Sequence, residues 1–323
     1  MIYPWQQQQF DDLMRCHRQG LLPHALLLTG VKGMGKSVFA HHVAQAVLCK
    51  TDQSKPCGQC DSCVWFKAGS HPDVVELGLE EKSKVIKIDQ VRSLIYQFER
   101  TSQCGMRVAM IDPADHLNYA AANSLLKTLE EPSGPALIML IAAEPQRLPA
   151  TILSRCQRID FTVEDEKSVL KWLQKTYPEE DVALLLKHAF GSPLLVPILK
   201  DAGYIDLRDQ VFERLSAAIL QQDNLIIDVP TMLKQDTDLI LRAMLSLVSD
   251  LLKLCLAVNQ EGVINLDRLP QLRVLSDRLS AHSLAEFYSV LLASKADLDS
   301  GTHLNVQLLF ESLMLSWMRL RTA

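Results

Sequence analysis

The chain has 323 residues, 33 Lys+Arg against 38 Asp+Glu, 48% hydrophobic residues and 8 cysteines. That length provides for two or three domains, each able to bury a core, and a charged fraction of 22% beside so large an apolar fraction excludes a disordered chain. A formal net charge of −5 argues against strong sequence-independent DNA binding by the isolated chain, while leaving room for a local basic face. The longest apolar run, Ala136–Ala143, is far short of the ~18 residues a spanning helix needs. The start MIYPWQQQQF has no basic region, apolar core or cleavage site, so a cytoplasmic protein with reduced thiols and no membrane contact is expected.

The first half alternates short apolar runs with helical stretches. Ala25–Thr29 reads as a strand and leads into Gly30-Val31-Lys32-Gly33-Met34-Gly35-Lys36-Ser37, a full match to G-x-x-x-x-G-K-[ST], with a helix expected over Lys36–Leu48. The glycines Gly30, Gly33 and Gly35 allow a tight turn whose N–H groups face a phosphate. The helix N-terminus adds partial positive charge, Lys36 would reach the terminal phosphates, and Ser37 would ligate Mg²⁺. A phosphate-loop fold is expected; whether the loop holds ATP is a separate matter.

Cys49, Cys57, Cys60 and Cys63 crowd into fifteen positions, while the other cysteines are single. Each C-x2-C step makes a knuckle that can point two sulfurs inward, and four thiolates with no open position fit a structural Zn²⁺. The other readings are a redox pair or four unligated thiols. His71, before Pro72, reads as a packing or capping residue rather than a ligand.

Further strands are expected at Val74–Leu77, Arg107–Ile111, Leu137–Ile141 and Gln157–Phe161, all taken as buried on both faces, with helices at Asp89–Arg100 and Tyr119–Glu130. This alternation implies a parallel sheet with right-handed crossovers. The third strand delivers Asp112 in place for a metal, but the next residue, where oligomeric ATPases usually carry a catalytic Glu, is Pro113. Asp115 falls in the following turn, a weak substitute. The fourth strand runs into Ala142-Ala143, where no side chain can orient a water. The residues therefore describe a nucleotide-binding scaffold with little turnover. Arg155, just before the fifth strand, reads by itself as a surface or ion-paired arginine.

After about Thr162 only helical patterns remain: Glu164–Lys175, Pro178–Phe190, Pro193–Lys200, Leu207–Gln221, Asp236–Ala257, Ala281–Ser294 and His303–Leu320. Connections are expected at Asp223–Pro230 and around Gly262–Pro270. The expected architecture is α/β followed by all-α, with a nucleotide-binding-like domain over 1–161, a small helical lid over 162–204 and a helical oligomerisation domain over 205–323.

Together LLLTGVKGMGKS, the four-cysteine segment, NSLLKTLEEP (Asn123–Pro132) and LPATILSRC (Leu148–Cys156) resemble the bacterial replicative clamp-loader subunits of the AAA+ class. The motor (tau/gamma) subunits of that family keep the acidic pair, the water-orienting residue and an arginine after a Gly-Ser pair. Here Gly191-Ser192 is followed by Pro193-Leu194. The resemblance implies a non-motor stator in a hetero-oligomeric arc with motor and delta subunits, which places the sliding clamp on primed DNA. It also implies that the C-terminal domain forms a collar and that Arg155 is an arginine finger acting on the next subunit's ATP. The competing expectations are a tau/gamma-like motor or an autonomous AAA+ ATPase, and a zinc-dependent DNA-binding regulator. The last would need a basic face, yet Lys50, Lys55 and Lys67 are partly offset by Asp52 and Asp61.

Overall fold

Five parallel strands, β1 (Ala25–Thr29), β2 (Val74–Leu77), β3 (Arg107–Ile111), β4 (Ala136–Ala142) and β5 (Gln157–Asp160), form one sheet in the order β2-β3-β4-β1-β5. The computed structural model describes residues 2–52, 54–80, 83–163, 166–178, 181–221, 225–256, 262–300 and 305–320. It divides into two compact units, Met1–Glu179 with Ser192–Leu194, and Glu180–Gly191 with Leu195–Ala323. The segment 162–204, expected as a lid, is thus shared between them.

The helices of the first unit are α1 (Gln7–Arg18), α2 (Lys36–Val47), α3 (Asp61–Lys67), α4 (Ile88–Phe98), α5 (Tyr119–Glu130), α6 (Ala150–Leu153) and α7 (Glu166–Thr176). Alternation along the central strands divides the core between two sheet faces. Leu26, Leu28, Val108, Met110, Leu137 and Met139 pack with Phe10 and Met14 of α1 and Phe39 and Val43 of α2. Leu27, Ala109, Ile111, Ile138 and Leu140 pack with Val91 and Leu94 of α4 and Leu125 and Leu129 of α5. Each buried Leu or Ile contributes about 1.5–3 kcal/mol, which is why β1, β3 and β4 are apolar on both sides. β2 and β5 depart from the expectation of two buried faces: they are the sheet edges, and Glu76, Gln157, Arg158 and Asp160 are exposed. Helix α1 has no counterpart in the sequence reading. Its Gln-rich start hides an apolar stripe, Phe10, Leu13 and Met14, at helical spacing.

The second unit is helical: α8 (Val182–His188), α9 (Leu195–Asp201), α10 (Tyr204–Leu220), α11 (Val229–Met232), α12 (Thr237–Cys255), α13 (Leu269–Ser276), α14 (Ala281–Ser300) and α15 (Val306–Met318). Helices α11 and α13 lie at or beside stretches expected as connections, and Leu272 and Leu275 of α13 are buried. The helix starts expected at Glu164 and His303 fall outside the described residues. Trp317 is fully buried, and its Nε1 donates to the Leu215 carbonyl at 2.9 Å.

A buried polar cluster joins α8 to α10. His188, 1% exposed, meets the Tyr204 hydroxyl at Nδ1 (3.3 Å), and its Nε2 accepts from Arg208 Nη1 (3.3 Å). Arg208 pairs with Asp209 (2.7 Å) and Asp267 (2.6 Å), and Arg242 donates to the His188 carbonyl (3.0 Å). Burial, and then the charge of Arg208, push the imidazole down to about 4 from its ordinary 6.5. Between those two values the unfolded chain binds a proton that the folded chain refuses, so stability falls as pH drops from 6.5 toward 4. Urea titrations at several pH values should show this slope, and His188→Gln should flatten it; equal slopes in both proteins would remove His188 as its source.

Candidate functional site

The segment Gly30–Ser37 leaves the C-terminal end of β1 and enters α2, whose N-cap is Gly35. Gly30 has φ +142°, and a Cβ there would lie 2.5 Å from the Phe161 carbonyl oxygen. Gly35 has φ +82°, with a Cβ position 2.8 Å from the Tyr3 ring and 2.9 Å from Gln6 Nε2, so neither position admits a side chain. Lys36 Nζ donates to the carbonyls of Gly30 (2.5 Å) and Val31 (3.0 Å). Burial pulls its ammonium below the usual lysine value, while the carboxylates of Asp112 and Asp115 oppose the shift. Ser37 Oγ donates to Asp112 Oδ2. The phosphate-loop glycines, Lys36, Ser37 and Asp112 thus lie in one site, with the hydroxyl and carboxylate suited to a divalent cation in contact.

The sequence reading did not find what holds this loop. Trp5 Nε1 (3.1 Å) and Gln6 Nε2 (2.8 Å) both donate to the Met34 carbonyl, and the Leu194 amide donates to the Gly33 carbonyl (3.0 Å). Tyr3 and Trp5 stack with centroids 4.8 Å apart and planes 4° from parallel, and Trp172 of α7 meets both rings edge-on at 5.6 and 5.3 Å. The Tyr3-Pro4-Trp5 start is the one signal in the sequence, and it says nothing about a partner 29 residues away.

The residue after Asp112 is Pro113. Pro113 has no carboxylate to offer. Asp115, in the turn Ala114–His116, is buried, and its Oδ2 accepts the amides of Ala143 (3.1 Å) and Glu144 (2.8 Å). That carboxylate binds the turn after β4, whose last residue is Ala142.

The sulfurs of Cys49, Cys57, Cys60 and Cys63 all lie within 4.8 Å of one another, with Cys57 and Cys63 3.9 Å apart. The S···S edge of a tetrahedral zinc–thiolate unit is about 3.8 Å, so the four sulfurs fit a metal ion. Amides point at them: Cys57 N–H to the Cys49 sulfur (3.4 Å), and the Gln59 and Cys60 N–H groups to the Cys57 sulfur (3.4 and 3.3 Å). Hydrogen bonds from the Thr51 hydroxyl and then these two amides pull the Cys57 thiol down to about 5, toward the thiolate a metal requires. Burial pushes Cys63 up to about 12 in the absence of a cation. His71 is not a ligand: Nε2 meets Ser62 Oγ (2.9 Å) and Nδ1 accepts the Asp73 amide (3.1 Å).

Arg155 follows α6 and is about one-third exposed. Its Nε donates to Glu130 Oε1 (2.5 Å), its Nη2 pairs with the same oxygen, and its Nη1 donates to the Thr151 carbonyl (2.8 Å). Glu130 had no assigned part in the sequence reading.

A GKS loop at β1, an acid at the end of β3 and a fourth strand inserted between them define a phosphate-loop protein of the AAA+ class, followed here by a helical C-terminal part. Family profiles described as DNA polymerase III, delta subunit, and DNA polymerase III, delta subunit, C terminal, match residues 5–165 and 202–319. The DNA polymerase III subunit delta' of Pseudomonas aeruginosa is 33% identical, with 98% of this chain and 97% of that protein covered. That of Haemophilus influenzae is 31% identical over 95% and 94%. The tau/gamma subunit of Haemophilus influenzae is 29% identical over 87% of this chain but 44% of its own length. The chain belongs to the family of DNA polymerase III delta' subunits.

Two outcomes follow from this geometry. Cys60→Ser should purify with its metal content reduced, by elemental analysis, and full retention would discredit the four-sulfur set. Trp5→Phe with Gln6→Leu removes both donors to the Met34 carbonyl, at about 1 kcal/mol each. Amide exchange across residues 30–36 should then quicken, and unchanged protection would show that the loop is held by other means.

Proposed function

We propose that this chain is the stator of a bacterial clamp loader. It joins motor (tau/gamma) and delta subunits in a hetero-oligomeric arc, and through that complex serves the loading of the sliding clamp onto primed DNA in the cytoplasm. Membership of the delta' family and the likeness to a tau/gamma subunit support this reading. The observation that carries the non-motor role is the exit of β3. Asp112 is followed by Pro113, which has no carboxylate, and Asp115 is held in the turn through its Oδ2, on the amides of Ala143 and Glu144. A general base directly after Asp112 contributes roughly two to four decades of rate, and a proline there supplies none.

Within this reading Gly30, Gly33, Gly35, Lys36, Ser37 and Asp112 hold ATP with Mg²⁺ and turn it over little. The intact loop favours binding, and Trp5, Gln6 and Leu194 hold its backbone in place. Cys49, Cys57, Cys60 and Cys63 hold a structural Zn²⁺, which contributes on the order of 10 kcal/mol to ordering a segment with little core. Residues 1–161, 162–204 and 205–323 act as nucleotide-binding-like, lid and collar parts. Arg155 extends to the terminal phosphate of the neighbouring motor subunit, where an arginine supplied in trans offsets charge developing in the transition state. The second reading, an autonomous ATPase, rests on the intact Gly35-Lys36-Ser37 with Asp112.

Assembled with wild-type motor and delta subunits, Arg155→Ala should form the complex normally yet cut DNA-stimulated ATP hydrolysis by about tenfold or more. Unchanged turnover at equal assembly would remove the finger. Brisk hydrolysis by the purified chain alone, abolished by Lys36→Ala, would favour the autonomous ATPase.

A further inference from the structure

We infer that Glu130 is a positioning residue for Arg155, holding one edge of the guanidinium so that its outer edge faces a phosphate of the adjacent subunit. This inference rests on the reading of Arg155 as a trans-acting arginine and deepens it. A guanidinium carries five N–H donors in a rigid planar fork. Glu130 Oε1 takes the Nε side at 2.5 Å and also pairs with Nη2, while the Thr151 carbonyl takes Nη1 at 2.8 Å; Ser154 Oγ lies farther from Nη1, at 3.4 Å. Glu130 thus engages the Nε/Nη2 edge, and Thr151 engages Nη1. The remaining edge, formed by the outward hydrogens of Nη1 and Nη2, has the spacing that matches two oxygens of a phosphate. Glu130 can therefore keep its bond while Arg155 makes a second one.

The supports of this arrangement are rigid. Glu130 is the last residue of α5, which is fixed to the sheet by the buried Ala121, Ala122, Leu125 and Leu129. Thr151 belongs to α6, which Ile152, fully buried, anchors in the same core. A long arginine loses much rotamer freedom when it binds, and one already held at its Nε edge loses less on meeting a phosphate. Helix energetics do not account for the acid, because a carboxylate at a helix C-terminus meets partial negative charge. Folding stability does not account for it either: Glu130 is 48% exposed, and ion pairs in such settings add little to stability.

The test uses the loader reconstituted from wild-type motor and delta subunits with four versions of this chain: Arg155→Ala, Glu130→Ala, Glu130→Gln, and Glu130→Ala combined with Arg155→Ala. Glu130→Ala should lower kcat for DNA-stimulated ATP hydrolysis about tenfold, the scale of a misplaced catalytic group, with KM nearly unchanged. Glu130→Gln should recover part of that loss, since its amide oxygen still accepts from Nε. Adding Glu130→Ala to Arg155→Ala should cost nothing more, and the thermal midpoint of the isolated chain should stay put. If Arg155→Ala slows turnover but Glu130→Ala does not, the positioning role is overturned while the finger stands. If Glu130→Ala slows turnover equally without Arg155, the carboxylate acts elsewhere and the inference is also overturned. If Arg155→Ala has no effect, the finger reading fails first and takes this inference with it.

Discussion

Parallel pairing of β4 with both β1 and β3 decides where the chemistry of this chain sits. In that register Thr29 lies opposite Ala142, and Ile111 opposite Leu140, so all three strands end along one edge of the sheet. The loop after β1, the acid after β3 and the turn after β4 consequently open on a common side. The contact of Ser37 with Asp112 across the intervening strand, and the grip of Asp115 on Ala143 and Glu144, are both consequences of that alignment. Nothing in the local preferences of these residues would bring together groups 75 positions apart.

The same edge carries the bonds that hold the phosphate loop. Here Met34 and Gly33 offer their carbonyls to Trp5, Gln6 and Leu194, the lysine is turned onto the loop's own oxygens, and the second carboxylate closes a structural turn. Each bond is modest, on the order of 1 kcal/mol net. Together they keep the backbone in a phosphate-ready shape with internal partners, which suits a part whose proposed role is to present a surface and an arginine rather than to cycle.

The helical unit relies on a different device. Asp250, fully buried, accepts the amides of Ile264 (2.9 Å) and Asn265 (2.7 Å) and the Asn265 side chain (2.7 Å), binding the chain ahead of α13 to α12. With His188, Arg208, Ser246 and Asn265 it belongs to the polar part of an otherwise apolar core, where such groups are held by their hydrogen-bond partners.

Much of this was readable from the chain alone. The phosphate loop, the strands at 25–29, 74–77 and 107–111, helix α5 and the clustering of Cys49, Cys57, Cys60 and Cys63 are local patterns, set by residue spacing, glycine conformation and apolar period. The proline that follows Asp112 is equally plain, because a residue without a carboxylate needs no fold to be noticed. Tertiary structure alone decided which strands became edges, that Trp5 and Gln6 seat on Met34, and that Glu130 meets Arg155. Arg107 makes the point most sharply: at the head of an apolar strand it is only 6% exposed, because the carbonyls of Phe98, Arg100 and Ser133 converge on its guanidinium. A hydrogen bond forms between groups that the whole fold makes neighbours, so its existence is written in no short stretch of sequence.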